Sequence, residues 1–265
     1  MGEDGSFIES TLGKTGLRVG RLGISGGYGA SAEAVEMAFE RGCNYFYHGS
    51  LRRDGMERAI KNICAKGQRD KLVITAQVYL RAGCLLKWSL DRFLRKTGIE
   101  YADVLLLGWY NSSPPRGVLD ACAELKEKGR FRHLAISSHD RAAYAGHMQS
   151  GLYGLFHVRY SAAHRGAEEQ VFAKLPAENS PGIVTYTATR WGGLVNPKKM
   201  PPGENTPRAS DCYRFAMSNP AVDVCMTGPK NMDEMKEALA ALERGPMARE
   251  ELDWMRRVGD HLRVK

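Results

Sequence analysis

Eight times along this chain a short, mostly apolar run is followed by an amphipathic segment of helical period. That alternation restricts the fold more than any other feature. The apolar runs cover 21–25, 44–47, 71–77, 103–109, 133–138, 155–160, 182–188 and 222–228. The helical segments that follow them cover 31–42, 56–67, 85–98, 118–129, 141–150, 167–175, 208–219 and 232–245. Strands separated by helices pair in parallel through right-handed crossovers. Eight such units predict one α/β domain over residues 1–265, a parallel eight-stranded (β/α)8 TIM barrel with an extra C-terminal helix at 249–262. An open doubly wound sheet is the alternative. No linker or shift in composition divides the chain.

Composition narrows the class further. Hydrophobic residues make up 43% of the chain, enough for a sizeable core. No apolar run approaches the roughly 20 residues that span a bilayer, and no charged-then-apolar leader opens the sequence. The first residues formally fit a myristoylation pattern, but Glu3 and Asp4 favour coincidence. Six cysteines show neither paired nor zinc-like spacing, which predicts a reducing, cytoplasmic home and no metal. The net charge of +8 suits anionic partners. No lysine-rich run or nucleic-acid module accompanies it, so neither nucleic acid nor membrane is expected as a partner. Self-association stays open.

In a barrel of this kind the chemistry sits at the C-terminal ends of the strands. The run Tyr45-Phe46-Tyr47 ends in His48, with Arg52 and Arg53 a few residues on. Gln77, Trp109, Tyr110, Ser137, Ser138, His139, His157, Tyr186 and Arg190 fall at other strand ends.

Seven segments, in order, carry a family resemblance. They are LGKTGLRVGRLGISGG (12–27), ERGCNYFYHGS (40–50), IEYADVLLLGWYN (99–111), LKEKGRFRHLAISS (125–138), VRYSAAHRGAEE (158–169), TYTATRWGGL (185–194) and MTGPKNMDEMKEAL (226–239). Together they resemble the aldo-keto reductase superfamily. That family reduces carbonyls with NADPH, using an aspartate, a tyrosine, a lysine and a histidine. The matching positions here hold Tyr47, Arg52, Gln77 and Gly108. Arginine stays protonated, with a pKa above roughly 12, so it cannot serve as the acid. Glutamine does not titrate and glycine has no side chain. The resemblance therefore implies the fold but not the usual mechanism.

It also implies a cofactor site for NADP(H). Ser137 and Ser138 match the pair that holds the nicotinamide carboxamide, His157 matches its glutamine, and Tyr186 matches the stacking aromatic. Gly228 and Glu234 match positions often used for the 2′-phosphate, and Lys230, Asn231 and Arg190 are further phosphate candidates.

Tyr47, His48, Arg52, Gln77 and Tyr110 are the catalytic candidates. Arg52 suits an anion clamp, and His48 suits acid–base work because histidine titrates near neutrality. The plainer readings are a solvated loop arginine, a histidine bonded to loop backbone, and tyrosines that pack. Loss of acids and gain of cations and aromatics predict an anionic small-molecule substrate. Three functions follow: a reductase-fold enzyme running lyase, isomerase or other proton-transfer chemistry; an NADP(H)-dependent oxidoreductase with a substitute acid; or a non-catalytic binding barrel. The long loop at 191–210 is a candidate lid.

Overall fold

The computed structural model describes residues 7–263, and the N-terminal lipid pattern lies outside them. The eight expected strands are all present. A short antiparallel hairpin, β1 (Glu9–Thr11) and β2 (Arg18–Gly20), precedes them. They are β3 (Leu22–Ser25), β4 (Tyr45–Tyr47), β5 (Val73–Val78), β6 (Ala102–Leu107), β7 (Phe131–Ser137), β8 (Leu155–Arg159), β9 (Gly182–Tyr186) and β10 (Val224–Thr227). Each pairs in parallel with its neighbour, and β10 closes onto β3. The open-sheet alternative is excluded.

The helices are α1 (Ala32–Glu40), α2 (Asp54–Ala65), α3 (Gly83–Thr97), α4 (Arg116–Glu127), α5 (Ala143–Gln149), α6 (Ala167–Gln170), α7 (Ala209–Met217), α8 (Met232–Arg244) and α9 (Arg249–Arg263). None is long and apolar enough to cross a membrane. The helix expected over 167–175 stops at Gln170. Val171 leaves helical dihedrals, at φ −126° and ψ −59°, and a 3₁₀ turn at Phe172–Lys174 follows.

Strand pleating sorts the residues into two cores. Side chains alternate along a strand. Tyr45, Val73, Val104, Leu106, Ala135, Leu155, Val184, Val224 and Met226 pack inside the barrel. Phe46, Ile74, Leu105, Leu107, Ile136, Phe156 and Ile183 pack outward against the helices. Burying one such side chain is worth about 1.5–3 kcal/mol, so the alternation fixes the register of each strand. The hairpin plugs the N-terminal end through Leu12 and Val19, both in the inner core. Asp223 holds the plug in place by accepting from the backbone of Ile183 at 2.8 Å and from Ser10 Oγ at 3.1 Å.

Among the described residues, all but one of the non-glycine residues with positive φ gather at the opposite end, the exception being Asn179 ahead of β9. Arg52 (+47°), Trp109 (+60°), Thr187 (+62°), Arg190 (+52°) and Trp191 (+50°) all lie on loops that leave C-terminal strand ends. Strain of this kind, about 1–3 kcal/mol per residue, persists where the surrounding structure over-determines the loop.

Candidate functional site

A cavity of about 730 Å³ opens at the C-terminal mouth of the barrel. The same alternation that built the core decides which predicted residues reach it. Tyr47, Gln77, Ser137, His157 and Tyr186 continue the inward rows of their strands, and all five line the cavity. Gly228 and Lys230 line its far wall. Tyr47 thus points into the barrel.

The other candidates lie elsewhere. His48 follows the inward Tyr47 and so turns outward. It is buried between α2 and α3, with Nε2 3.0 Å from Glu57 Oε1 and its ring edge-on to Phe93 at 4.7 Å. Burial, reinforced by Arg53, lowers its pKa to about 4. It is a structural histidine. Tyr110 is buried in the outer core under the Arg81 guanidinium, 3.7 Å from its ring centre. Ser138 also turns outward. Its hydroxyl donates to Asn111 Oδ1 and its backbone N–H meets the Tyr144 hydroxyl, so it braces the loop after β7.

Three loop residues are placed by backbone rather than by pleat. Arg52 is exposed with its side chain over Gly29, and it is not among the residues that line the cavity. Arg190 turns back along its own loop toward Gly193. Asn231 caps α8 by accepting from the Glu234 N–H at 2.9 Å. Of the remaining histidines and arginines, His139 leans on Trp109 at 5.1 Å. Arg165 bonds Asp260 of α9 at 2.7 Å.

The floor of the cavity is neutral. His157 sits with Nε2 2.8 Å from the Tyr45 hydroxyl, and burial drives its pKa down to about 3. Burial and the neighbouring Tyr79 push the Tyr47 phenol well above its ordinary range. Gln77 Oε1 is buried without a hydrogen-bond partner. Ser137 Oγ accepts from the Trp109 N–H at 3.1 Å, which helps hold that strained residue at the rim.

Sequence reasoning missed Tyr28, Tyr79 and Arg208, which also line the cavity. Tyr79 was within reach: it lies two residues past Gln77 and keeps the same inward parity. Tyr28 lies on a 3₁₀ turn after β3, and its ring covers Gly228, where an added Cβ would be 2.3 Å from the ring. Arg208 sits at the end of the long loop, next to α7, where no pattern marks it.

That loop forms a wall of the cavity through Trp191, Val195 and Pro207. Glu204 ties it to α9 through Arg257 Nε at 2.7 Å. Among the described residues no group of three His, Cys, Asp or Glu side chains is arranged to hold a metal.

Solved structures share this architecture. An aldo-keto reductase from Bacillus halodurans, in its holo form, matches with a TM-score of 0.77 at 19% identity, covering 94% of this chain and 95% of that one. An aldo-keto reductase from Klebsiella pneumoniae in complex with NADPH matches with a TM-score of 0.78 at 18% identity, covering 96% of each chain. At such identities the likeness is one of fold. The sequence itself goes further: the model of the aldo/keto reductase family matches residues 28–211, more than half of the chain, and the protein belongs to that family.

Proposed function

We propose that the protein is an oxidoreductase that binds NADP(H) along the mouth cavity and acts on an uncharged carbonyl compound. The observation that carries this is the cavity's continuity. It runs unbroken from the neutral floor of Tyr47, Gln77 and His157 to the cationic side chains of Lys230 and Arg208. Its volume of about 730 Å³ lies in the usual range for cofactor sites.

The residues fit a nicotinamide nucleotide. Tyr186 offers an aromatic wall near the floor, and Gln77 Oε1 is an acceptor still lacking a donor. Lys230 and Arg208 offer positive charge to phosphates. Two carboxylates at that end are already engaged. Glu234 accepts from the Lys230 N–H at 2.9 Å, and Glu237 accepts from Ser210 Oγ at 2.7 Å. Bound there, NADPH supplies a hydride. The chain's part is to orient the carbonyl and to donate to its oxygen as negative charge develops.

The floor disfavours the proton-transfer alternatives. Lyase and isomerase chemistry needs a group whose pKa lies near the working pH. His157 titrates at about 3 and Tyr47 well above 10, so neither changes charge between about pH 5 and 9. The anionic substrate expected from the sequence rested on a gain of cations and aromatics, and of those cations Arg52, Arg190 and His48 are not among the residues that line the cavity. A phenol that stays neutral is a donor, which suits an uncharged carbonyl.

Titration of the purified protein with NADPH, followed by nicotinamide fluorescence and calorimetry, tests the proposal. Micromolar affinity is expected. No binding up to millimolar NADPH overturns it.

A further inference from the structure

Tyr79 is placed by a glycine. Its ring lies over Gly108 so closely that a Cβ there would be 2.4 Å from ring atoms Cδ1 and Cε1. The amide nitrogen of Gln77 is 3.1 Å from the same point. Position 108 therefore has to be glycine for the phenol to occupy this space. Trp109 packs against the same ring, tilted, at a centroid distance of 4.6 Å. Trp109 is itself pinned by the Ser137 hydroxyl and by Arg81, which donates to its carbonyl at 2.5 Å. The ring is thus held against Gly108 and Trp109, and it lines the cavity together with Tyr47.

We infer that Tyr79 is the catalytic proton donor of this site, with Tyr47 as its positioning partner and Gly108 as the space that admits it. The inference rests on the oxidoreductase reading above. Burial first, and Tyr79 after it, push the Tyr47 phenol up, so Tyr47 holds its proton more firmly than an ordinary tyrosine. Tyr47 pairs with Thr75 in the barrel, so Tyr79, further along the same chain segment, lies nearer the mouth where a ligand enters. As the substrate carbon gains hydride, a C–H bond forms and the carbonyl π pair moves onto oxygen. That oxygen takes the proton from Tyr79 Oη, whose O–H bond breaks to leave a phenolate. The phenolate accepts a hydrogen bond from Tyr47 and regains a proton from water at the open mouth.

Three variants of the full chain test this: Tyr79→Phe, Tyr47→Phe and Gly108→Ala. Three readouts are taken: NADPH affinity, kcat and KM with 4-nitrobenzaldehyde, and the affinity of 4-nitrobenzamide. The last is a carbonyl acceptor that resists reduction, read by tryptophan quenching without cofactor. Tyr79→Phe is expected to lower kcat/KM about 10²–10⁴-fold. It should also weaken 4-nitrobenzamide about 2–12-fold, the loss of one hydrogen bond, with NADPH affinity unchanged. Gly108→Ala, which displaces the ring, should reproduce both losses. Tyr47→Phe should lower kcat while leaving KM and 4-nitrobenzamide affinity near the parent values. Unchanged 4-nitrobenzamide affinity in Tyr79→Phe, or the loss appearing in Tyr47→Phe instead, overturns the inference whatever the cofactor does. Failure of the unmodified protein to bind NADPH overturns the oxidoreductase reading and the inference with it, an outcome distinct from unchanged 4-nitrobenzamide affinity in Tyr79→Phe, which overturns the inference alone.

Discussion

The hydroxyl of Tyr45 and Nε2 of His157 lie 2.8 Å apart, both buried, on strands at opposite sides of the barrel. The bond spans the inner core just under the cavity floor. Removal from water is the whole cause of the low histidine pKa of about 3.

Acid should therefore unfold the protein early. His157 and His48 have folded pKa values of about 3 and about 4, both lowered chiefly by burial. In the unfolded chain each titrates near 6.5. The unfolded state then binds more protons below pH 6.5, so stability is complete above that value and falls as pH drops toward the folded pKa values. Between pH 6.5 and 4.5 each histidine is expected to remove on the order of 2 kcal/mol. Buried Asp223, raised to about 6, works in the opposite direction over part of this window. Thermal melts across the window should show a net fall in Tm, and His48→Gln should flatten it. A Tm independent of pH over that range contradicts the assignment.

Arg214 anchors α9 to the barrel. Its guanidinium meets Glu251 at 2.6 and 2.8 Å, and its Nε donates to the Gly245 carbonyl at 2.8 Å. Arg214 is buried while Glu251 keeps partial exposure, so water screens part of the loss. Arg214→Met is expected to cost about 2–4 kcal/mol. Urea unfolding monitored by circular dichroism measures it, and a change below about 1 kcal/mol would show that the pair is dispensable.

Arg52 stands at φ +47° and is exposed. Arg52→Gly should be neutral or stabilise by up to about 1 kcal/mol, because glycine takes this conformation without a Cβ penalty. NADPH affinity should stay within twofold. A tenfold loss in both Arg52→Gly and Arg52→Ala would restore the arginine as a ligand-binding group.

Gly228 and Tyr28 form a second contact that a methyl would disturb, with the Cβ position 2.3 Å from the ring. Tyr28 is 45% exposed and can swing outward, so Gly228→Ala should change stability by less than about 1 kcal/mol. The displaced ring should alter the shape of the cavity and shift NADPH affinity several-fold. Unchanged affinity would place the nucleotide away from this wall.

Much of this molecule was legible in its sequence. The eight apolar runs coincide with barrel strands because most of their residues are buried on both faces, which a run such as Ala102–Leu107 announces by having only one polar member, Asp103. The end of α6 was not legible, since Val171 departs from helical dihedrals without a glycine or proline to mark it. The site divides along the same line. Tyr47, Gln77, Ser137, His157 and Tyr186 reach the cavity because each sits on a strand at an inward position. His48, Ser138 and Tyr110 also fall near strand ends, but they do not line the cavity, because position along a strand leaves the side-chain direction open until parity is known. Arg52, Arg190, Asn231 and Arg208 depend on loop dihedrals and caps, which are set by tertiary packing rather than by local pattern.

Pleat parity at β4 has one more consequence. Tyr47 faces the cavity and His48 faces the helices only because of where the strand enters the barrel. A one-residue slip of β4 in its register against β3 and β5, as a deletion ahead of Tyr45 could impose, would exchange the two. The floor would then present an imidazole in place of a phenol, changing the reaction available to the site without substitution of any residue in it. In a fold whose active site is the continuation of its strands, a shift in reading position is a route from one chemistry to another.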